Sequence, residues 1–299
     1  MLITNSLIPR DGHTIEPNKF AKLNGASLRY FDHGKGEPVL MIHGTSLNDS
    51  LAVPLRLYEP LYAEHRIISY YRAGYNGSTF EGDKVSIEDG ARHAVELLDH
   101  LGIEKAHLLA FSFGGVIGFE AILRYPDRFA SAVLLEPYLP RESAKAIQAN
   151  IDAYMAAMEY YQKGDKLTAG LVYMEAVCGP NFLSAVDMTG PNNVWARADE
   201  AMTTTFEVDF PAVMAWPFKP SSADTYAPNK TPVPVLACMG THSEGAMPGF
   251  RETQQFMMDW LPNVKRAGIP NATHGMQSMN PMAVGEAAVD FFRSNKIAG

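Results

Sequence analysis

The stretch LLAFSFGGVIGFEA (Leu108–Ala121) sets one serine between two phenylalanines and follows it at once with a pair of glycines. Upstream, KAHLLAF (105–111) is a short apolar run of the length that suits a buried strand. Downstream, GGVIGFEAILRYPDRF (114–129) carries apolar residues at helical spacing and ends near a proline. Ser112 therefore falls where a strand turns directly into a helix. A hydroxyl in so tight and apolar a turn is expected to serve chemistry.

The same alternation extends to both sides. Strands are expected in ASLRYFDHG (26–34), PVLMIHG (38–44), HRIISYY (65–71), AHLLAF (106–111) and SAVLLEP (131–137), with a helix over 86–102 and another over 114–125. Apolar runs of this length between helices argue for a parallel sheet covered on both faces. After Pro140 the rhythm breaks. Helices are expected at 142–164, 166–179 and 192–210, with no convincing strand before TPVPVLACMG (231–240). A helix (249–262), a strand (264–270) and a last helix (282–296) then close the chain. The expected division is an α/β core over 1–137 and 231–299, interrupted by a helical insertion over 138–230.

Composition narrows the classes. The 299 residues are 46% hydrophobic and 19% charged, ordinary for a globular protein, and can bury roughly three-quarters of the unfolded surface. A net charge of −8 argues against nucleic acid as a partner, since such binding needs a basic face to displace counterions. Cys178 and Cys238 are too few for a disulfide framework or a cysteine-ligated zinc site, and both read as buried free thiols. The first residues lack a signal-peptide pattern, and no apolar run approaches the ~20 residues that cross a bilayer. A soluble, cytoplasmic protein without membrane partners is expected. Nothing in the sequence indicates an oligomeric state.

From Ser27 to Asn295 the chain resembles the α/β-hydrolase superfamily. VLMIHGTS resembles its strand–His–Gly oxyanion loop. YYRAGYNGS resembles its arginine–glycine loop, with Tyr71 where an aspartate is common. AFSFGG resembles its G-x-S-x-G nucleophile elbow, with Ala110 replacing the first glycine, and YPDRF and NATHGM complete the set in the family's order. In such an elbow the residues two places from the serine must be small, because strand and helix approach closely. The resemblance implies Ser112 as nucleophile and His274 as its base, with neither metal nor organic cofactor. His43 would belong to the oxyanion loop, while His93 and His100 would face away from the site and His242 lies near the plausible acid position. It also implies an oxyanion hole made by the N–H groups of Phe113 and Thr45, with Gly44 letting the loop lie close to substrate.

The acid is left open. The family's usual aspartate after strand seven is replaced here by Ser243, within CMGTHSEGAMP. Glu136 ends strand six in VLLEP, an arrangement similar to the zearalenone-lactonase branch, and Glu244 is the alternative. The insertion would be a lid. It holds Tyr154, Met155, Met158, Tyr160, Tyr161, Tyr173, Met174, Phe182, Met202 and Phe206, residues suited to packing the lid or lining an adaptable apolar pocket, and Trp195 in NVWAR resembles a ligand-touching lid segment of the lactonase branch. Few basic residues lie nearby, which disfavours strongly anionic substrates. The expectation is a Ser-His-Glu hydrolase of a small-molecule ester or lactone. A carbon–carbon bond hydrolase with the same triad, or a slow ligand-binding receptor on this scaffold, are the alternatives.

Overall fold

Nine strands form one sheet in the structure, a computed structural model that describes residues 19–47, 50–189 and 198–297. They are β1 (Lys19–Leu23), β2 (Ala26–His33), β3 (Glu37–Ile42), β4 (His65–Tyr70), β5 (Thr79–Phe80), β6 (Ala106–Phe111), β7 (Phe129–Leu135), β8 (Val235–Gly240) and β9 (Val264–Ile269). The order is β1-β2-β4-β3-β6-β7-β8-β9, with β5 pairing β2 off this path. β2 pairs antiparallel with β1, β4 and β5, and every pair from β4–β3 to β8–β9 is parallel. The two-residue β5 shifts the count by one, so β7 and β8 are strands six and seven of the resemblance.

Parallel strands with helices on both faces are buried on both sides, which is why they read as unbroken apolar runs. Along β6 the residues alternate between two cores. Leu108 and Ala110 join the cluster under the helices Ile87–His100 and Ser112–Arg124, while Leu109 and Phe111 join the opposite cluster with Phe292. The helix Ile87–His100 opens on a capping box in which Ser86 and Asp89 satisfy each other's backbone N–H groups. At the sheet's centre β3, β6 and β7 lie side by side, so the chain leaves their carboxyl ends at Gly44, Ser112 and Glu136 in one neighbourhood.

Two strands escape sequence inspection. β1 is an edge strand with only Ala21 buried and Phe20 exposed, so it shows no apolar run, and β5 is too short to leave a pattern. The helix after the elbow begins at Ser112 itself, two residues before the glycine pair would suggest.

Between β7 and β8 the described residues hold helices and no strand. Ala144–Gln162, Lys166–Cys178, Phe182–Thr189 and Ala198–Thr204 are followed by one π-helical turn, Thr205–Asp209, and by Phe210–Ala215. Their apolar faces meet in a third cluster that includes Tyr173, Met174, Phe182, Met202, Phe206 and Phe210, together with Leu47 and Phe250 from the sheet side. Met155 and Tyr160 point outward instead. Farther on, Ala212, Trp216, Phe218 and Ala223 pack into the sheet's own core, so the layer covering the carboxyl edge ends near Phe210. Among the described residues no helix is long and apolar enough to cross a membrane.

Candidate active site

Ser112 adopts a left-handed backbone, with φ of 54°, immediately after β6. Such a conformation is strained for a residue with a side chain and persists only where its surroundings enforce it. The enforcement is visible at the glycines. A Cβ on Gly114 would lie 2.3 Å from the His43 carbonyl oxygen and 2.4 Å from that of Ile42, so only glycine fits where the helix crosses the end of β3. A Cβ on Gly44 would lie 2.9 Å from the Phe111 ring and 3.3 Å from the Ser112 Cβ, which puts the loop after β3 directly against the serine.

The loop after β9 brings His274 to the serine. Ser112 Oγ and His274 Nε2 are 2.8 Å apart, and His274 Nδ1 lies 2.8 Å from Glu136 Oε2. An ionised carboxylate only accepts, so Nδ1 carries the proton and Nε2 is free to accept from the hydroxyl. Glu136 too has a left-handed backbone, with φ of 41°, directly after β7, and its other oxygen accepts the Gly240 N–H at 2.9 Å. Gly240 has no room for a side chain, since a Cβ would lie 2.5 Å from the Ala272 carbonyl oxygen. All three groups are nearly sealed: Ser112 is 6%, Glu136 3% and His274 2% exposed. The Phe250 ring stacks on His274 at 4.4 Å and 15°, and Phe111 flanks it at 4.8 Å.

Glu244, the alternative acid, sits on the short helix Ser243–Ala246 with an exposed carboxylate paired to Arg251, and it makes no hydrogen bond to His274. His242 is exposed. The Ser243 hydroxyl is buried without a hydrogen-bond partner among the described residues. Trp195 lies outside the described residues. Cys178 and Cys238 are buried free thiols, and burial followed by the nearby Glu136 charge pushes Cys238 up to about 12.

Beside the serine, Thr45 and the loop carrying it are pinned by groups that the sequence reading did not single out. Arg72 Nη1 and Nη2 reach Asp209 Oδ1 and Oδ2 at 2.8 and 2.6 Å, with both side chains buried. The hydroxyls of Thr45 (2.7 Å) and Tyr75 (2.6 Å) also donate to Asp209, and the Ser46 N–H donates to Thr205 Oγ1. Arg72 further donates to the carbonyls of His43 and Gly44, and its guanidinium lies 4.6 Å from the Phe113 ring centre. The Arg72 N–H donates to His43 Nε2, and burial, reinforced by the Arg72 charge, holds that ring well below the usual histidine range and neutral. His93 is buried and lines a cavity of about 20 Å³ with Tyr70, Arg72 and Phe113, closer to the site than its helix position suggested. The π-helical turn thus delivers Thr205 and Asp209 onto the loop after β3.

Removing one partner of a buried ion pair strands the other charge. Asp209→Ala should lower the free energy of unfolding by about 3–5 kcal/mol, read from urea denaturation, and Arg72→Met with Asp209→Leu should recover most of that loss. A double variant as unstable as the single one would show that packing, not charge, holds this junction. Among the described residues no group of three or more His, Cys, Asp or Glu is placed to hold a metal ion.

This geometry can be compared with known proteins. A family model described as the alpha/beta hydrolase fold matches residues 37–170. The 2-hydroxymuconate semialdehyde hydrolase of Pseudomonas sp. strain CF600 is 34% identical over 113 residues, covering 37% of this chain and 40% of that protein. The chain spans less than half the length of the curated relatives it matches, 43% for the first two. Among solved structures, a thermophilic esterase from Thermogutta terrifontis with malate bound superposes with a TM-score of 0.73 at 21% identity, over 94% of this chain and all of that one. The enol-lactonase from Burkholderia xenovorans LB400 does so with a TM-score of 0.68 at 18% identity, over 92% of this chain and all of that one.

Proposed function

The chain has the α/β-hydrolase fold, and from that premise we propose that it is a serine hydrolase of carboxylic esters or lactones. The observation that carries the proposal is the sealed relay from Ser112 Oγ through His274 to Glu136, with both contacts at 2.8 Å. Ser112 Oγ attacks the acyl carbon while His274 Nε2 takes its proton. The charge on the carbonyl oxygen develops toward the N–H groups of Phe113, in the unpaired first turn of its helix, and of Thr45. Glu136 fixes the imidazole tautomer and stabilises the imidazolium. His274 then hands the proton to the leaving oxygen, water attacks the acyl-enzyme with His274 again as base, and an acid and an alcohol leave. With a lactone the two remain one hydroxy acid. The helices at 144–189 and 198–210 act as the lid, whose apolar cluster favours a medium-sized apolar substrate. A second reading, carbon–carbon bond hydrolysis by the same groups, is supported by the likeness to the 2-hydroxymuconate semialdehyde hydrolase.

The test combines turnover with labelling. The protein should hydrolyse p-nitrophenyl butyrate, and diethyl p-nitrophenyl phosphate should abolish that activity while placing one diethylphosphoryl group on the peptide containing Ser112. A protein that is neither labelled nor active on esters or lactones would sink the hydrolase reading and leave a binding role.

A further inference from the structure

A second arginine is buried beside the site, and unlike Arg72 it pairs with no carboxylate among the described residues. Arg141 lies between β7 and the helix Ala144–Gln162 and is 8% exposed. Its Nη1 donates to Asn150 Oδ1 at 3.1 Å, while Nε and Nη2 are buried with no hydrogen-bond partner among the described residues. The guanidinium lies 4.4 Å from the Tyr138 ring centre and 5.1 Å from that of Phe250. Both residues touch the relay: the Tyr138 N–H donates to the Ser112 carbonyl at 3.1 Å, and Phe250 stacks on His274. The Phe250 ring therefore touches both Arg141 and His274, while Tyr138 meets Arg141 with its ring and Ser112 with its backbone. Gly249 packs closely against the start of the guanidinium, since a Cβ there would lie 2.4 Å from Arg141 Cδ and 2.5 Å from Nε.

A guanidinium stays charged wherever it is placed, and a buried charge is costly unless it is paired. Two aromatic faces and one amide oxygen answer only part of that demand. The Glu252 carboxylate, the charge acting on this region, turns one oxygen to the N–H groups of Glu142 and Ser143 and forms no ion pair with Arg141. The unpartnered edge has a defined chemistry. Nε–H and Nη2–H point the same way and match the two oxygens of a carboxylate. Elsewhere in this protein that same edge does so, in Arg66 with Asp32 and in Arg293 with Glu64.

We propose that Arg141 anchors a negatively charged end of the substrate: the ester or lactone taken by this site carries a carboxylate, held by Arg141 Nε and Nη2 while its acyl carbon lies at Ser112. The proposal rests on the hydrolase reading and reverses the expectation that anionic substrates are disfavoured. Arg141 escaped that expectation because a charge just after a proline in a connecting segment looks solvated.

The experiment compares mono-p-nitrophenyl glutarate with the uncharged p-nitrophenyl pentanoate. Wild type should favour the charged ester in kcat/KM, and Arg141→Met should lower the charged-to-neutral ratio by about 10- to 100-fold, the usual value of a charge-assisted pair. Arg141→Lys, which keeps the charge without the fork, should fall between. A second arm needs no turnover: glutarate should raise the Tm of Ser112→Ala and not that of Ser112→Ala with Arg141→Met, and glutaramide should raise neither. Hydrolysis with no preference for the charged ester in wild type would overturn the Arg141 proposal and leave the hydrolase standing. Glutarate binding that depends on Arg141 without any ester turnover would do the reverse. An unchanged ratio in Arg141→Met would reduce Arg141 to a packing residue.

Discussion

Ser112→Ala should lower kcat for p-nitrophenyl butyrate by on the order of 10⁶-fold, the size of effect seen when a serine nucleophile is removed from a relay of this kind. Among the described residues this hydroxyl places the nucleophilic oxygen within hydrogen-bonding distance of His274 Nε2. Alanine keeps the left-handed turn and the adjoining N–H groups, so the site loses its nucleophile and retains its oxyanion donors. Some rate above the uncatalysed reaction should persist for that reason. Initial rates, with preparations checked for wild-type carry-over by titration with the organophosphate, measure the drop. Retention of more than a hundredth of the activity would mean that another group attacks the ester.

Glu136→Gln should lower kcat by about 10⁴-fold, the loss typical when the carboxylate orienting a catalytic histidine becomes an amide. The geometry gives the reason. Both oxygens of Glu136 accept, one from the Gly240 N–H and one from His274 Nδ1. Glutamine has one oxygen to offer. Turned toward Gly240, it presents an NH₂ group to Nδ1 and favours the tautomer whose Nε2 cannot take the serine proton. Turned toward His274, it sets NH₂ against the buried Gly240 N–H. Glu244→Gln, which alters only a surface ion pair with Arg251, should stay within about twofold of wild type, since such pairs contribute little. Steady-state rates of the two variants side by side decide between the carboxylates, and a collapse in Glu244→Gln alone would overturn the assignment of Glu136.

What the sequence disclosed and what it withheld divide along physical lines. The elbow was legible because a buried parallel strand is an unbroken apolar run, and the small residues about Ser112 answer to contacts with the adjoining strand and helix that any such turn must make. The position of Glu136 at the sheet's edge was legible because a carboxylate straight after Val133-Leu134-Leu135 can only stand there, while the choice between it and Glu244 stayed open. Asp209 was not, because its partner Arg72 lies 137 residues away and no local period connects them. The π-helical turn that aims Thr205 and Asp209 inward also breaks the 3.6-residue spacing by which a helix face is recognised. β1 stayed hidden for the opposite reason to β6: an edge strand needs few apolar residues.

The placement of Glu136 at the end of β7 bears on how such a protein can change over generations. Every side chain of the relay leaves from β6, from β7 or from the loop after β9, so β8 gives the relay only the Gly240 N–H, and the turn 244–246 beyond it, where a side chain on Gly245 would meet nothing within 4 Å, gives it no support. Substitutions and insertions in that segment need not pass through a dead ancestor. That exposed turn is thereby open to drift while the relay itself stays under selection.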